Sequence, residues 1–222
     1  MIVPSDEDYK QTKLIKEGKG TLPPLHALAD WISEHFAGAT PLNIYYDKIP
    51  PHDRPRLSVI FEWERDAGKF RYNGGYGNFY PAQQTKIAEK FRDIVAKQQY
   101  DTFDASRLLV IFNAFEPVAR VEANWRVTKE QIAELKKALD CLAIWEIRPG
   151  FEDVVFFFYT EAQLRESERS NIRDRCKDGY SRILKEYDEF AYFRERPITV
   201  SFDSKENFDS KYKSNWFYYD KR

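Results

Sequence analysis

Residues 108–125 read LLVIFNAFEPVARVEANW, and the fold turns on how this stretch is divided. Leu108–Phe115 is apolar on both faces, the mark of an interior strand. After Glu116-Pro117 the pattern alternates. Ala119, Val121, Ala123, Trp125 and Val127 share one face, and Arg120, Glu122, Asn124 and Arg126 take the other. That period of two predicts a half-exposed strand, so the stretch reads as a hairpin. A second stretch of the same length, TVSFDSKENFDSKYKSNW, spans 199–216. A shift of ~91 lays Trp125 on Trp216 and Ile111 on Phe202 with the apolar face in register. Similarity at a fixed period signals repeated structural units.

Working outward, each half reads helix, strand, strand, helix, strand, strand. In the first half a helix is predicted over 25–36, from Leu25, Leu28, Ala29, Ile32 and Phe36 at helical spacing. LNIYYDKI follows as a strand, then the proline loop PPHDRP. RLSVIFEWERDAGKFRY predicts a hairpin, with Leu57, Val59, Phe61 and Trp63 inward and Gly68 in a positive-φ turn. A helix covers 83–99. In the second half Thr128 and Gln131 form a capping box. AIWEIRP and VVFFFYT are strands, and a charged helical stretch runs over 162–187 with a break near Gly179. ITVSF and SKYKSNWFYY close the chain as strands, with Tyr212, Trp216 and Tyr218 inward. The expectation is an α+β fold of two tandem α-β-β-α-β-β lobes, an internal duplication with antiparallel sheets packed against helices. Residues 1–21 form a polar arm, 22–127 the first lobe and 128–222 the second.

Charge is even, with 35 lysines and arginines against 36 aspartates and glutamates. That balance gives no basic footprint, so nucleic acid is not an expected partner. VVFFFY is the longest apolar run and falls far short of the ~20 residues of a membrane helix. MIVPSDEDYKQ carries no secretion-signal pattern, and two free thiols, Cys141 and Cys176, suit a cytoplasmic location. No two of His26, His35 and His52 have metal spacing, and neither cysteine is near one. No serine elbow or phosphate loop is present: Asn78 and Phe79 follow the last glycine of YNGGYGNFY where a P-loop needs lysine and a hydroxyl. No cofactor, metal or catalytic residue is therefore assigned.

The order of helix, hairpin, helix and closing hairpin resembles the YezG-like antitoxin and immunity family of bacteria. The closing pattern ITVSFDSKENFDSKYKSNWFYYD after an amphipathic helix is similar to that family, and so is LSVIFEWERDAGKFRY as its central hairpin. The resemblance implies a small cytoplasmic protein that binds and neutralises a cognate toxin, without turnover. The expected partner contacts lie in two loops, where function concentrates. They are His52 and Arg54 of the proline loop, and Tyr72, Tyr76, Phe79 and Tyr80 of the glycine loop. The rival readings are an enzyme using Glu62, His52 or Cys176 in a cleft between lobes, and an aromatic platform for a small ligand or single-stranded nucleic acid.

Overall fold

In a computed structural model of the chain, the stretch 108–125 is a strand followed at once by a helix. The structure describes residues 2–20, 25–36, 38–73, 77–98 and 102–221. The chain divides into two units, residues 1–118 and 119–222.

In the first unit, α1 (Glu7–Lys16) and α2 (His26–His35) precede β1 (Pro41–Ile49) and β2 (Arg54–Phe61). Then come α3 (Glu64–Gly68), α4 (Pro81–Gln98) and β3 (Leu109–Ala114), with α5 (Phe115–Trp125) carrying the boundary between units. The sheet order is β1-β2-β3; β1 and β2 are antiparallel, whereas β2 and β3 are parallel. The long excursion through α4 explains the parallel pair, since a crossover must carry the chain back to the end at which β2 began. Leu57, Val59 and Phe61 do share the buried face, where they pack with Leu28 and Ile32 of α2 and Ile87, Phe91 and Ile94 of α4. The opposite face carries Ile60 and a polar network. Ser58 Oγ donates to Asp8 Oδ2 at 3.0 Å, and Asn113 Nδ2 donates to Ser58 Oγ at 3.1 Å. Asn43 Nδ2 donates to Thr12 Oγ1 at 2.9 Å. All five side chains are buried.

The second unit runs α6 (Lys129–Leu139), β4 (Ile144–Pro149), β5 (Asp153–Phe158), α7 (Glu161–Ser167), α8 (Ile172–Lys185) and α9 (Tyr192–Glu195). It ends with β6 (Thr199–Ser204), α10 (Lys205–Tyr212) and α11 (Trp216–Tyr219). Sheet order and sense repeat those of the first unit: β4 and β5 antiparallel, β5 and β6 parallel. One face holds Val154, Phe156 and Phe158 against Leu135, Cys176, Tyr180 and Leu184. The other holds Val155 and Phe157 under Phe208 and Tyr219, with Trp145, Tyr212 and Trp216 around them.

The fold is α+β, and both sheets are mixed rather than antiparallel. Neither closing hairpin forms. Residues 119–125 are helical because Glu116, Arg120 and Asn124 fall four apart, and all three are buried along one helical face. Pro117 fits there because the first turn has no intrahelical acceptor for its missing N–H. SKYKSNWFYY becomes the end of α10 and then α11, separated by Lys213 and Ser214 in left-handed backbone. Tyr219 is therefore the buried residue of the tail, and Tyr218 is exposed. Leu109 and Thr199 occupy the same register place beside β2 and β5, so the structural offset is one less than the sequence comparison predicts. The two Asn-Trp pairs are not equivalent: Trp125 ends one helix and Trp216 starts another.

Three further differences matter. Residues 7–16 are a docked helix, not a polar arm, because Tyr9 and Thr12 are buried and Tyr9 stacks on Phe115 at 5.1 Å. The partner of β2 is β1, and residues 64–68 form α3; Gly68 sits in that helix without positive φ. The charged helical stretch breaks at 168–171, and Gly179 lies inside α8, where an added Cβ would stand 2.4 Å from Leu135 Cδ1. Among the described residues no helix is long and apolar enough to cross a membrane.

Candidate functional site

The two loops singled out in the sequence have different fates. His52 and Arg54 are exposed at the β1–β2 turn, which contains the cis Pro50–Pro51 bond and Asp53 at φ 47°. Arg54 Nε donates to the Arg107 carbonyl at 3.3 Å. Tyr72 and Tyr80 come together, with ring centroids 5.7 Å apart and both rings exposed. Their backbones are tied, since Tyr72 N donates to Asn78 O and Tyr80 N to Phe70 O, each at 3.0 Å. Phe79 turns inward instead. It bridges Arg71 through the backbone and meets Phe112 edge-on at 5.3 Å, so the core takes the side chain expected at a partner's surface. Tyr76, with Gly74 and Gly75, lies outside the described residues.

Of the residues considered for catalysis, His52 is exposed in its loop, and Glu62 and Cys176 are engaged in the fold. Glu62 accepts from Lys16 Nζ at 2.7 Å. Cys176 is fully buried in the second unit's core, and burial pushes its thiol up to about 12. A thiol so raised holds almost no thiolate at neutral pH, so it is a poor nucleophile. Asp8 is a buried carboxyl whose pKa is raised by desolvation, against the opposing Ser58 hydrogen bond and the Arg56 charge. Its Oδ1 accepts from Tyr9 N at 2.9 Å and its Oδ2 from Ser58, so it is held inside a closed network. Among the described residues, no group of three histidine, cysteine or acidic side chains could hold a metal ion.

The feature that sequence reasoning missed is an exposed aromatic pair in the second unit. Trp125 ends α5 and Phe151 caps the β4–β5 turn; they are 53% and 70% exposed, with ring centroids 5.7 Å apart. The scaffold beneath them is hydrogen-bonded. Asn124 Nδ2 donates to the Gly150 carbonyl at 2.9 Å and the Asp153 carbonyl at 3.2 Å, while its Oδ1 accepts from Tyr180 OH at 2.7 Å. Asn124 thus joins the helix end to the turn and anchors both to the buried Tyr180. Gly150 closes the turn with its N–H on the Asp153 carbonyl at 2.8 Å, and a Cβ there would collide with the Asp153 carboxylate at 2.0 Å. A groove of 390 Å³ opens beside the pair, lined also by Arg148, Tyr219 and Asp220. Arg148 lies over the Trp216 ring at 4.2 Å and pairs with Asp220 at 2.7 Å.

A signal for this site was available. Phe151 sits in Pro149-Gly150-Phe151-Glu152, a turn in which a large apolar side chain has no core to enter. Trp125 gives no such signal, because the alternation of residues 119–127 places it on the inward face of a strand. No protein-family model, curated protein or solved structure matches this chain.

Proposed function

We propose that this chain is a non-enzymatic protein-binding module and that its partner docks on the Trp125–Phe151 face. One observation carries the reading: two large aromatics are held exposed on a hydrogen-bonded frame, next to an arginine and a groove. Tryptophan and arginine are the residues that dominate binding energy in protein interfaces. A preorganised frame lowers the entropic cost of docking. The narrower form of the proposal is an immunity or antitoxin-type protein that neutralises a cognate bacterial toxin in the cytoplasm. That form rests on the family resemblance of the sequence pattern. The exposed Tyr72–Tyr80 pair of the first unit is a second, smaller candidate contact.

The test is affinity purification of the tagged chain from the cells that produce it, beside the double variant Trp125→Ala, Phe151→Ala. The reading expects a protein recovered in stoichiometric amount by the natural chain and lost from the variant. Recovery of the same protein by both chains would move the interface elsewhere, and recovery of none by the natural chain would sink the proposal. For the narrower form, co-expression of the recovered partner should arrest growth unless this chain is present.

A further inference from the structure

A second groove, in the first unit, has a different chemistry. It measures 470 Å³ and lies between α4 and the segment leading into β3. Arg54, Arg92 and Arg107 line it, with no acidic residue in the lining. None of the three guanidiniums is in an ion pair among the described residues. Asp104, the carboxylate electrostatically coupled to Arg107, is engaged by Ser106, whose N–H donates to its Oδ1 at 2.8 Å. The floor is apolar, formed by Ala88 and Val110, and Thr85 adds a hydroxyl from α4. Three guanidiniums line one groove that has no carboxylate in its lining, so an anion bound there would gain from their charge.

Arg107 adds an independent observation. Its φ is 47°, a left-handed conformation that costs free energy in any residue with a Cβ. The architecture does not require it. In the second unit Pro197 stands directly before Ile198 and Thr199, as Arg107 stands before Leu108 and Leu109 at the matching register place. Proline cannot take positive φ. The groove beside Pro197 is lined by Lys185 and Arg194 but also by Asp188, so its charge is mixed. Of these two grooves, only the one in the first unit has unmixed positive charge in its lining.

We infer that the groove lined by Arg54, Arg92 and Arg107 binds a small molecule bearing a phosphoryl group, with its organic body over the Ala88–Val110 floor. Guanidinium forks match the oxygens of phosphate in pairs, which an ammonium cannot do. The volume falls within the range of about 300–1,000 Å³ usual for small-ligand sites.

Isothermal titration of the full chain with pyrophosphate and with ADP tests this, each at low and at physiological salt. The expected result is saturable binding of ADP, tighter than that of pyrophosphate and weakened by salt. Arg92→Ala and Arg107→Ala should each weaken it by roughly tenfold or more. Lys185→Ala, in the second unit's groove, should leave it unchanged. Arg107→Gly separates a ligand from a structural residue: it relieves the backbone and should raise Tm by about 2 °C while binding is lost. No saturable heat with either probe, an equal loss in Lys185→Ala, or full binding by Arg107→Gly would each overturn the assignment.

Discussion

The two units build the same three-stranded mixed sheet and cover its second face in opposite ways. In the first unit Asn43, Ser58 and Asn113 look out from β1, β2 and β3, and α1 meets Ser58 with Asp8 and Asn43 with Thr12. In the second unit the strand places matching Ser58 and Asn113 hold Val155 and Asp203, and the cover is aromatic: Phe208, Trp216 and Tyr219. Trp216 stacks on Phe208 at 4.1 Å and runs parallel to Trp145 at 6.0 Å. One polar place survives in both, since buried Asp203 accepts from Tyr219 OH at 2.7 Å. A hydrogen-bonded cover fixes one seating of its helix, because any shift leaves buried groups unpaired. An aromatic cover contributes more by area and is less exacting in geometry. The energetic weight of the second cover therefore sits in its rings, and that of the first in its geometry.

The sharpest way to break this comparison is to remove the aromatic cover. A chain ending at Ser214 loses Trp216 and Tyr219 and uncovers Phe157. Uncovering a sheet face of this kind costs several kcal/mol, on the scale of about 3–5 for a single large aromatic deleted from a core. Hydrogen exchange should show β4, β5 and β6 losing protection while β1, β2 and β3 keep theirs. A truncated chain whose second sheet stays protected would overturn the role given to the tail.

The polar cover should respond to chemistry rather than to size. Asp8→Ala leaves Ser58 and the Tyr9 N–H without their acceptor and should cost about 2 kcal/mol. Asp8→Asn keeps an acceptor and a donor in place and should cost less than about 1 kcal/mol. The pH dependence follows from the direction of the shift. Burial raises the folded pKa of Asp8 above 3.8, so the native state binds more protons than the unfolded state in the window just above that value. Stability from this group therefore falls as pH rises through the window. Denaturant midpoints from pH 3 to 7 should show that decline in the natural chain and its absence in Asp8→Asn. Equal pH profiles would remove the titration of Asp8 from the account.

The contrast also explains which parts of the molecule were legible in the sequence. Core helices declared themselves through long apolar periods: Ile87, Phe91 and Ile94 in α4 are buried as their spacing predicts. The capping box at Thr128 forms with both of its hydrogen bonds, and an unremarked second one, Thr160 with Gln163, forms in the same way. Both helices that follow the third strand of a sheet stand where the sequence pattern predicts strands. Buried Glu116, Arg120 and Asn124 spoil the apolar period of α5, so the alternation of its small residues prevailed. The favourable helix formers Ala119, Arg120, Glu122 and Ala123 were the available counter-signal. In the tail, Ser204 caps α10 through Asn207 N at 3.0 Å, and Asn215 caps α11 through Phe217 N at 2.9 Å. Those caps were legible, but aromatic side chains are so common in strands that they outweighed them. The exposed pair Trp125 and Phe151 depends on a contact between a helix end and a turn, through Asn124, and such a contact has no local period to read. The arginine groove is likewise assembled from three separate segments.

The smallest effect is the most useful for separating stability from recognition. Arg148 lies over Trp216 and pairs with Asp220, at the rim of the groove beside Trp125 and Phe151. Asp220 is half exposed and Arg148 one third exposed, so solvent screens the ion pair and its contribution is small, and the partly exposed cation–π contact adds about 0.5–1 kcal/mol. Arg148→Ala should therefore lower stability by no more than about 1 kcal/mol, with part of that lost already at high salt. Its effect on the partner complex should be larger, because docking would desolvate the guanidinium and remove the screening that weakens it in the free chain. Measuring both quantities on one variant gives the discrimination. A stability loss matching the affinity loss would make Arg148 a prop for Trp216. An affinity loss at least about tenfold greater than the stability change predicts would make it part of the interface.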